Sequence, residues 1–120
     1  MTAPKFYDYS KSPHASGQLR LIVTGAHRLD FRSATQKFGD DRGMTVLFRP
    51  MDPTGSRLAI DLWNVDFDIS GSNDYGVDEF QIAFYTDPKT PDAAALIQKL
   101  MSDFQAAMIT VRGVAVSKGR

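Results

Sequence analysis

The stretch Arg57–Ser72, RLAIDLWNVDFDISGS, alternates apolar and polar residues and changes phase in the middle. Leu58, Ile60 and Leu62 fall at even positions, whereas Val65, Phe67 and Ile69 fall at odd ones. Alternation with period two belongs to a strand with one buried face, and such a strand cannot shift phase unless the backbone adjusts. A β-bulge at Trp63-Asn64 inserts one residue and returns the same side of the strand to the core. A tight turn at the same place, separating two short strands, is the alternative. The bulge is preferred because neither Gly nor Pro is present. On that reading the aliphatic and aromatic residues share one face. Asp61, Asp66 and Asp68 then share the other.

The rest of the chain is read around this strand. QLRLIVTG places Leu19, Leu21 and Val23 on one face of a strand, and HRLDFRS alternates again with Leu29 and Phe31 inward. Ser33–Gly43 is polar, with two glycines and a central Phe38, and reads as a long loop joining strands. Met44, Val46 and Phe48 define another strand, closed by the turn signal MDPTGS. Phe80, Ile82 and Phe84 define the next. Ala93, Leu96, Ile97, Leu100, Met101, Phe104 and Met108 recur at helical spacing, which predicts a helix over about 91–108. Thr90 is its expected N-cap and Pro91 its first residue. The tail returns to strand character, with a phase slip at Gly113. The expected fold is mainly β: an antiparallel sandwich or barrel-like domain of about six strands, with one flanking helix near the C-terminus. Residues 1–17, with two prolines and several serines, read as an extended N-terminal arm whose Phe6, Tyr7 and Tyr9 dock on this subunit or a neighbour. Residues 18–120 form the single domain.

Composition narrows the function. The 120 residues contain no cysteine, so disulfides and thiolate metal sites are excluded. No apolar run approaches the roughly 20 residues of a membrane helix, and the N-terminus lacks the apolar core of a signal peptide. Synthesis in the cytoplasm is expected. Net charge is zero but uneven. Residues 1–60 carry nine Lys/Arg and five Asp/Glu, and residues 61–120 carry five and nine. Complementary regions of this kind favour association between copies.

No catalytic motif is present. Asp66, Asp68, Ser70, Gly71 and Asp74 match the first positions of a calcium loop, but Val77 stands where a bidentate Glu is needed, and the segment reads as strand. A solvated strand followed by a turn is the expected state. Asp78 and Glu79 are adjacent, so on a strand they point to opposite faces. No cofactor is expected. Arg28, Arg32, Lys37 and Arg42, with Phe31 and Phe38 as stacking groups, suggest a nucleic-acid surface, against which the balanced charge weighs. Trp63 reads as a core or interface anchor.

GMTVLFRPMDPTGSRLAIDLWNVDFDISGS followed by GVDEFQIAFYTDPKTP resembles the later half of tailed-phage virion proteins, tail tube subunits especially. Leu58, Ile60, Leu62, Asn64 and Val65 carry the first part of the pattern, and Asp78 to Pro88 the second. The resemblance implies a non-enzymatic virion subunit, a small β-sandwich with one flanking helix, assembled as stacked rings or a tube. Capsid cement and neck proteins fit nearly as well. Its partners would be copies of itself and other virion proteins, with DNA passing without sequence-specific binding. In that setting the loop Ser33–Gly43, through Lys37, Phe38 and Arg42, and the arm, through Phe6, Tyr7 and Tyr9, would grip neighbours. Asp61, Asp66 and Asp68 would line the lumen or an intersubunit seam.

Overall fold

A computed structural model describes residues 14–54, 56–73 and 78–117. Among them, six strands and two α-helices follow in the order β1 (Gly17–Val23), α1 (Arg28–Asp41), β2 (Thr45–Pro50), β3 (Leu58–Trp63), β4 (Phe67–Ser72), β5 (Glu79–Thr86), α2 (Ala93–Ile109) and β6 (Val114–Val116). A short 3-10 turn, Gly25–His27, joins β1 to α1. The strands form one sheet in the spatial order β2-β3-β4-β5-β1-β6, antiparallel throughout. The mainly β, antiparallel six-stranded architecture with a C-terminal helix is therefore observed. The sheet is open, and helices cover its face where a sandwich would place a second sheet.

The phase change at Trp63-Asn64 is a hairpin, not a bulge. Leu62 pairs with Ile69 and Ile60 with Gly71. Cross-strand partners share a face. Each of these pairs joins an even position to an odd one, so the alternation must change parity between the two strands. The turn dispenses with glycine because Asn64 shapes it. Its side-chain oxygen accepts from the N–H of Asp66 at 2.9 Å and of Phe67 at 2.8 Å, while its own N–H donates to Phe67 O at 3.0 Å. Val65 consequently sits in the turn, 47% exposed, and leaves the core.

The second correction is α1. HRLDFRS is not a strand and Ser33–Gly43 is not a loop. Arg28 to Asp41 is helical, burying Phe31, Thr35, Phe38 and Gly39 on one side. Their spacing of four, three and one is that of a helix face. Leu29, read as core, is 74% exposed.

Both helices lie on the same face of the sheet. Phe31 packs on Phe80 at 5.0 Å between ring centroids, Phe38 on Phe104 at 5.1 Å and Phe104 on Phe84 at 5.8 Å. The helices run side by side in opposite directions: Thr35 meets Met108, and Arg42 reaches Asp103. Leu21, Ile60, Leu62, Ile69, Ile82, Ile97 and Leu100 complete the core. α2 starts at Ala93, two residues later than expected. Asp92 is its N-cap, in a left-handed conformation (φ 59°), and Thr90 and Pro91 form the turn before it, with Ala93 N–H donating to Thr90 O at 3.1 Å. Gly17, assigned to the arm, already belongs to β1. The arm's Phe6, Tyr7 and Tyr9 lie outside the described residues.

Candidate functional site

The helices leave the other side of the sheet to a mixed set of side chains, ordered by the strand register. One row crosses five strands: Arg49, Ala59, Ser72, Gln81 and Arg20. The next holds Leu47, Asp61, Ser70, Ala83 and Gln18. Apart from Asp61 and Gln81, small residues occupy the middle strands, and long ones the flanks. The result is a shallow trough of about 420 Å³. At one flank Arg49 lies 3.7 Å from Asp61, and at the other Arg20 lies 3.8 Å from Glu79. Each guanidinium thus has a carboxylate beside it, and the trough is charge-compensated at both ends. Such a surface suits contact with another protein better than capture of a phosphate. A third row, Thr45, Trp63, Asp68 and Tyr85, runs beyond it. Trp63 and Asp68 are buried there, on the face away from the helices.

Asp61 is half-buried. Burial pushes its carboxyl above the ordinary carboxylate value, against the opposing effects of the Ser70 hydroxyl and of Arg49. The folded state therefore holds this proton more tightly than the unfolded chain does. The contribution to stability is complete at acid pH and is lost as pH rises through the ordinary value to the raised one. Asp61→Asn is expected to raise the melting temperature at pH 7 and to change it less at pH 3. Thermal denaturation at the two pH values measures this, and a lowered melting temperature at pH 7 would contradict it.

The sequence-derived site residues do not assemble into one place. Phe38 is 3% exposed and belongs to this chain's own core. Arg42 folds back, its guanidinium 3.7 Å from the centre of the Phe38 ring and 3.8 Å from Asp103. Lys37 is exposed on α1 and pairs with Asp41 at 2.9 Å. The three do not project together as a gripping loop, because the segment that carries them is a helix laid on the sheet. Asp61 and Asp68 do lie on the same side of the sheet, away from the helices. Asp66, however, is in the exposed hairpin turn, and Asp68 is only 3% exposed. The continuous acidic face expected of these residues is not formed, since its geometry depended on the bulge.

The nucleic-acid surface loses its stacking groups, because Phe31 and Phe38 are both buried. Its cations are engaged locally. Arg28 donates to Ser56 O at 2.8 Å, and Arg32 lies over the Phe48 ring at 4.8 Å. The calcium-loop residues Asp68, Ser70 and Gly71 lie along β4, and Asp66 precedes it. At roughly 3.3 Å per residue a strand spreads its ligands apart and does not wrap them round an ion. Asp74 and Val77 lie outside the described residues. Among the described residues, no group of three or more His, Asp or Glu side chains is placed to hold a metal ion, and no helix is long and apolar enough to cross a membrane.

Sequence reasoning missed the trough and the outer edge of β2. The alternation of β1 to β5 carried the signal, but strand order decides which residues share a row, and strand order is not local. No family model, curated protein or solved structure matches this chain.

Proposed function

We propose that this chain is a non-enzymatic structural subunit of a tailed-phage virion, made in the host cytoplasm, that works by associating with copies of itself into rings or a tube. The observation that carries the reading is the architecture: an open sheet that, among the described residues, ends at β2 on one side, and a broad, charge-compensated trough on the face that the helices do not cover. Open edges and mixed polar and apolar faces serve strand addition and surface contact. The residues that carry the resemblance to tail tube subunits, Leu58 to Val65, form β3 and its hairpin turn, with Leu58, Ile60 and Leu62 buried in the core next to the edge strand β2. With α1 laid on the sheet, the contacts between subunits fall to strand edges, the trough and the N-terminal arm. Other virion proteins are the further partners, and DNA would pass without sequence-specific binding.

Sedimentation over a wide concentration range, followed by negative-stain microscopy, tests the reading. Rings or tubes are expected. A monomer at every concentration would overturn it. Single rings that never stack would favour a neck role, and binding to preformed capsids a cement role. A salt-sensitive mobility shift with single-stranded DNA would favour a nucleic-acid-binding module.

A further inference from the structure

The outer edge of β2 has a hydrogen-bonding pattern that fits a second copy of itself. β2 is the last strand on its side of the sheet among the described residues. In an antiparallel ladder, alternate residues exchange hydrogen bonds with one neighbour, and those between turn N–H and C=O the other way. The phase is fixed on both sides of β3. Asn64 N–H donates to Phe67 O, so the even residues of β3 bond towards β4. Met51 N–H donates to Arg57 O at 2.8 Å, so the odd residues of β2 bond towards β3. Thr45, Leu47 and Arg49 therefore bond inward, opposite Trp63, Asp61 and Ala59. Val46 and Phe48 turn their N–H and C=O groups outward.

The outward window has defined ends. Pro50, the next outward position, has no N–H. Met44, the previous one, already donates its N–H to Gly39 O at 2.9 Å. Two residues remain, placed symmetrically about Leu47. An antiparallel copy of the strand, related by a two-fold axis at Leu47, sets Val46 opposite the other copy's Phe48 and Phe48 opposite its Val46. Four N–H···O bonds close, and the ladder stops where Pro50 meets Met44.

The side chains agree with this register. Leu47 is 43% exposed at the sheet edge, and in this register it would face its own symmetry mate and lose that exposure. Arg49 falls opposite Thr45, so like charges do not meet. Val46 and Phe48, partly buried against the core, extend the apolar layer beneath the helices.

We infer that β2 is the contact of a two-fold dimer, in which two copies join their sheets edge to edge about Leu47. The inference rests on the proposed self-association and names one contact within it.

The chain has no cysteine, so a single introduced thiol reports this contact. At the directly opposed, non-hydrogen-bonded position the two Cα atoms are about 4.5 Å apart. A disulfide spans roughly 4.4–6.8 Å. Leu47→Cys is expected to form a covalent dimer under mild oxidation at least roughly 10-fold faster than Val65→Cys, because pairing raises the local thiol concentration. Val65 is exposed to a similar degree, but it lies in the hairpin turn. Leu47→Lys, at an exposed position, should keep the circular dichroism of the parent and lose the dimer in sedimentation. Equal cross-linking of the two cysteine variants would overturn the two-fold contact. If the parent chain still sediments above monomer mass in that case, self-association stands and only this contact falls. If Leu47→Cys cross-links while the parent forms neither ring nor tube, this contact stands and the larger assembly falls.

Discussion

Phe38→Ala is expected to lower the stability of the folded chain by about 3–5 kcal/mol, the range for removing a buried ring and leaving a cavity. Phe38 is enclosed between α1 and α2. Its ring meets Phe104 edge-on at 5.1 Å and 87°, and Arg42 covers it at 3.7 Å. Truncation removes the aromatic pair, uncovers Phe104 and leaves the Arg42 guanidinium without its platform. Against a total of roughly 5–15 kcal/mol for a domain of this size, the loss is a large fraction. Urea unfolding followed by circular dichroism measures it. The shift in midpoint should be the same at low and high protein concentration, because the ring is buried within one chain. A midpoint shift that appears only at high concentration would return Phe38 to the role its sequence context suggested, a contact between subunits.

The second large effect is at Gly113. This residue holds φ at +81° and carries the chain from α2 into β6, where its carbonyl accepts from Thr24 N–H at 3.1 Å. A β-carbon there would run into the His27 ring and lie 2.6 Å from Thr24 Oγ1. Gly113→Ala combines the left-handed backbone cost of about 1–2 kcal/mol with that collision, and about 3 kcal/mol is expected. Gly43 is the internal control. Its φ is +67°, but nothing lies within 4 Å of the position a β-carbon would take. Gly43→Ala should therefore cost only the backbone part, about 1 kcal/mol. Denaturation of the two variants side by side separates conformation from collision. Equal losses would mean that His27 and Thr24 move aside without cost.

The strands that became β1, β2, β3 and β5, and the C-terminal helix, were legible because each has a regular apolar period and a clear boundary. The helix α1 was not. Two of its four buried positions are Thr35 and Gly39, which carry little apolar signal, while Leu29 and Phe31 imitate a strand. Its helical face can be found only by accepting a threonine and a glycine as core residues. The hairpin at Asn64 was missed for a related reason. The stretch holds neither Gly nor Pro at the turn, and the Asn64 side-chain amide shapes it instead. The parity shift itself was a correct observation with two physical causes, and the structure realises the second. The error carries over to Asp66, whose place on that face depends on the bulge; Asp68 keeps the side of Asp61 but is buried. The site was the least legible part. Arg49 and Arg20 share a row only because β1 inserts between β5 and β6, far from its neighbours in sequence.

That insertion also sets a timetable. Gly17 pairs with Phe84 and Val23 with Val114. Of the six described strands, the one made earliest is thus held on both sides by strands made late. During synthesis β2 to β5 can pair one after another as each emerges, since every partner is the next strand along. Leu19, Leu21 and Val23 must wait. At roughly 5–20 residues per second, the wait for β5 lasts several seconds. For that interval the nascent protein is a four-stranded meander in the making, trailing an apolar strand with nowhere to dock. Leu19, Leu21 and Val23 are the residues that a factor sheltering emerging chains would cover, and it would have to release them once β5 is in place, before β6 can add to the free side of β1.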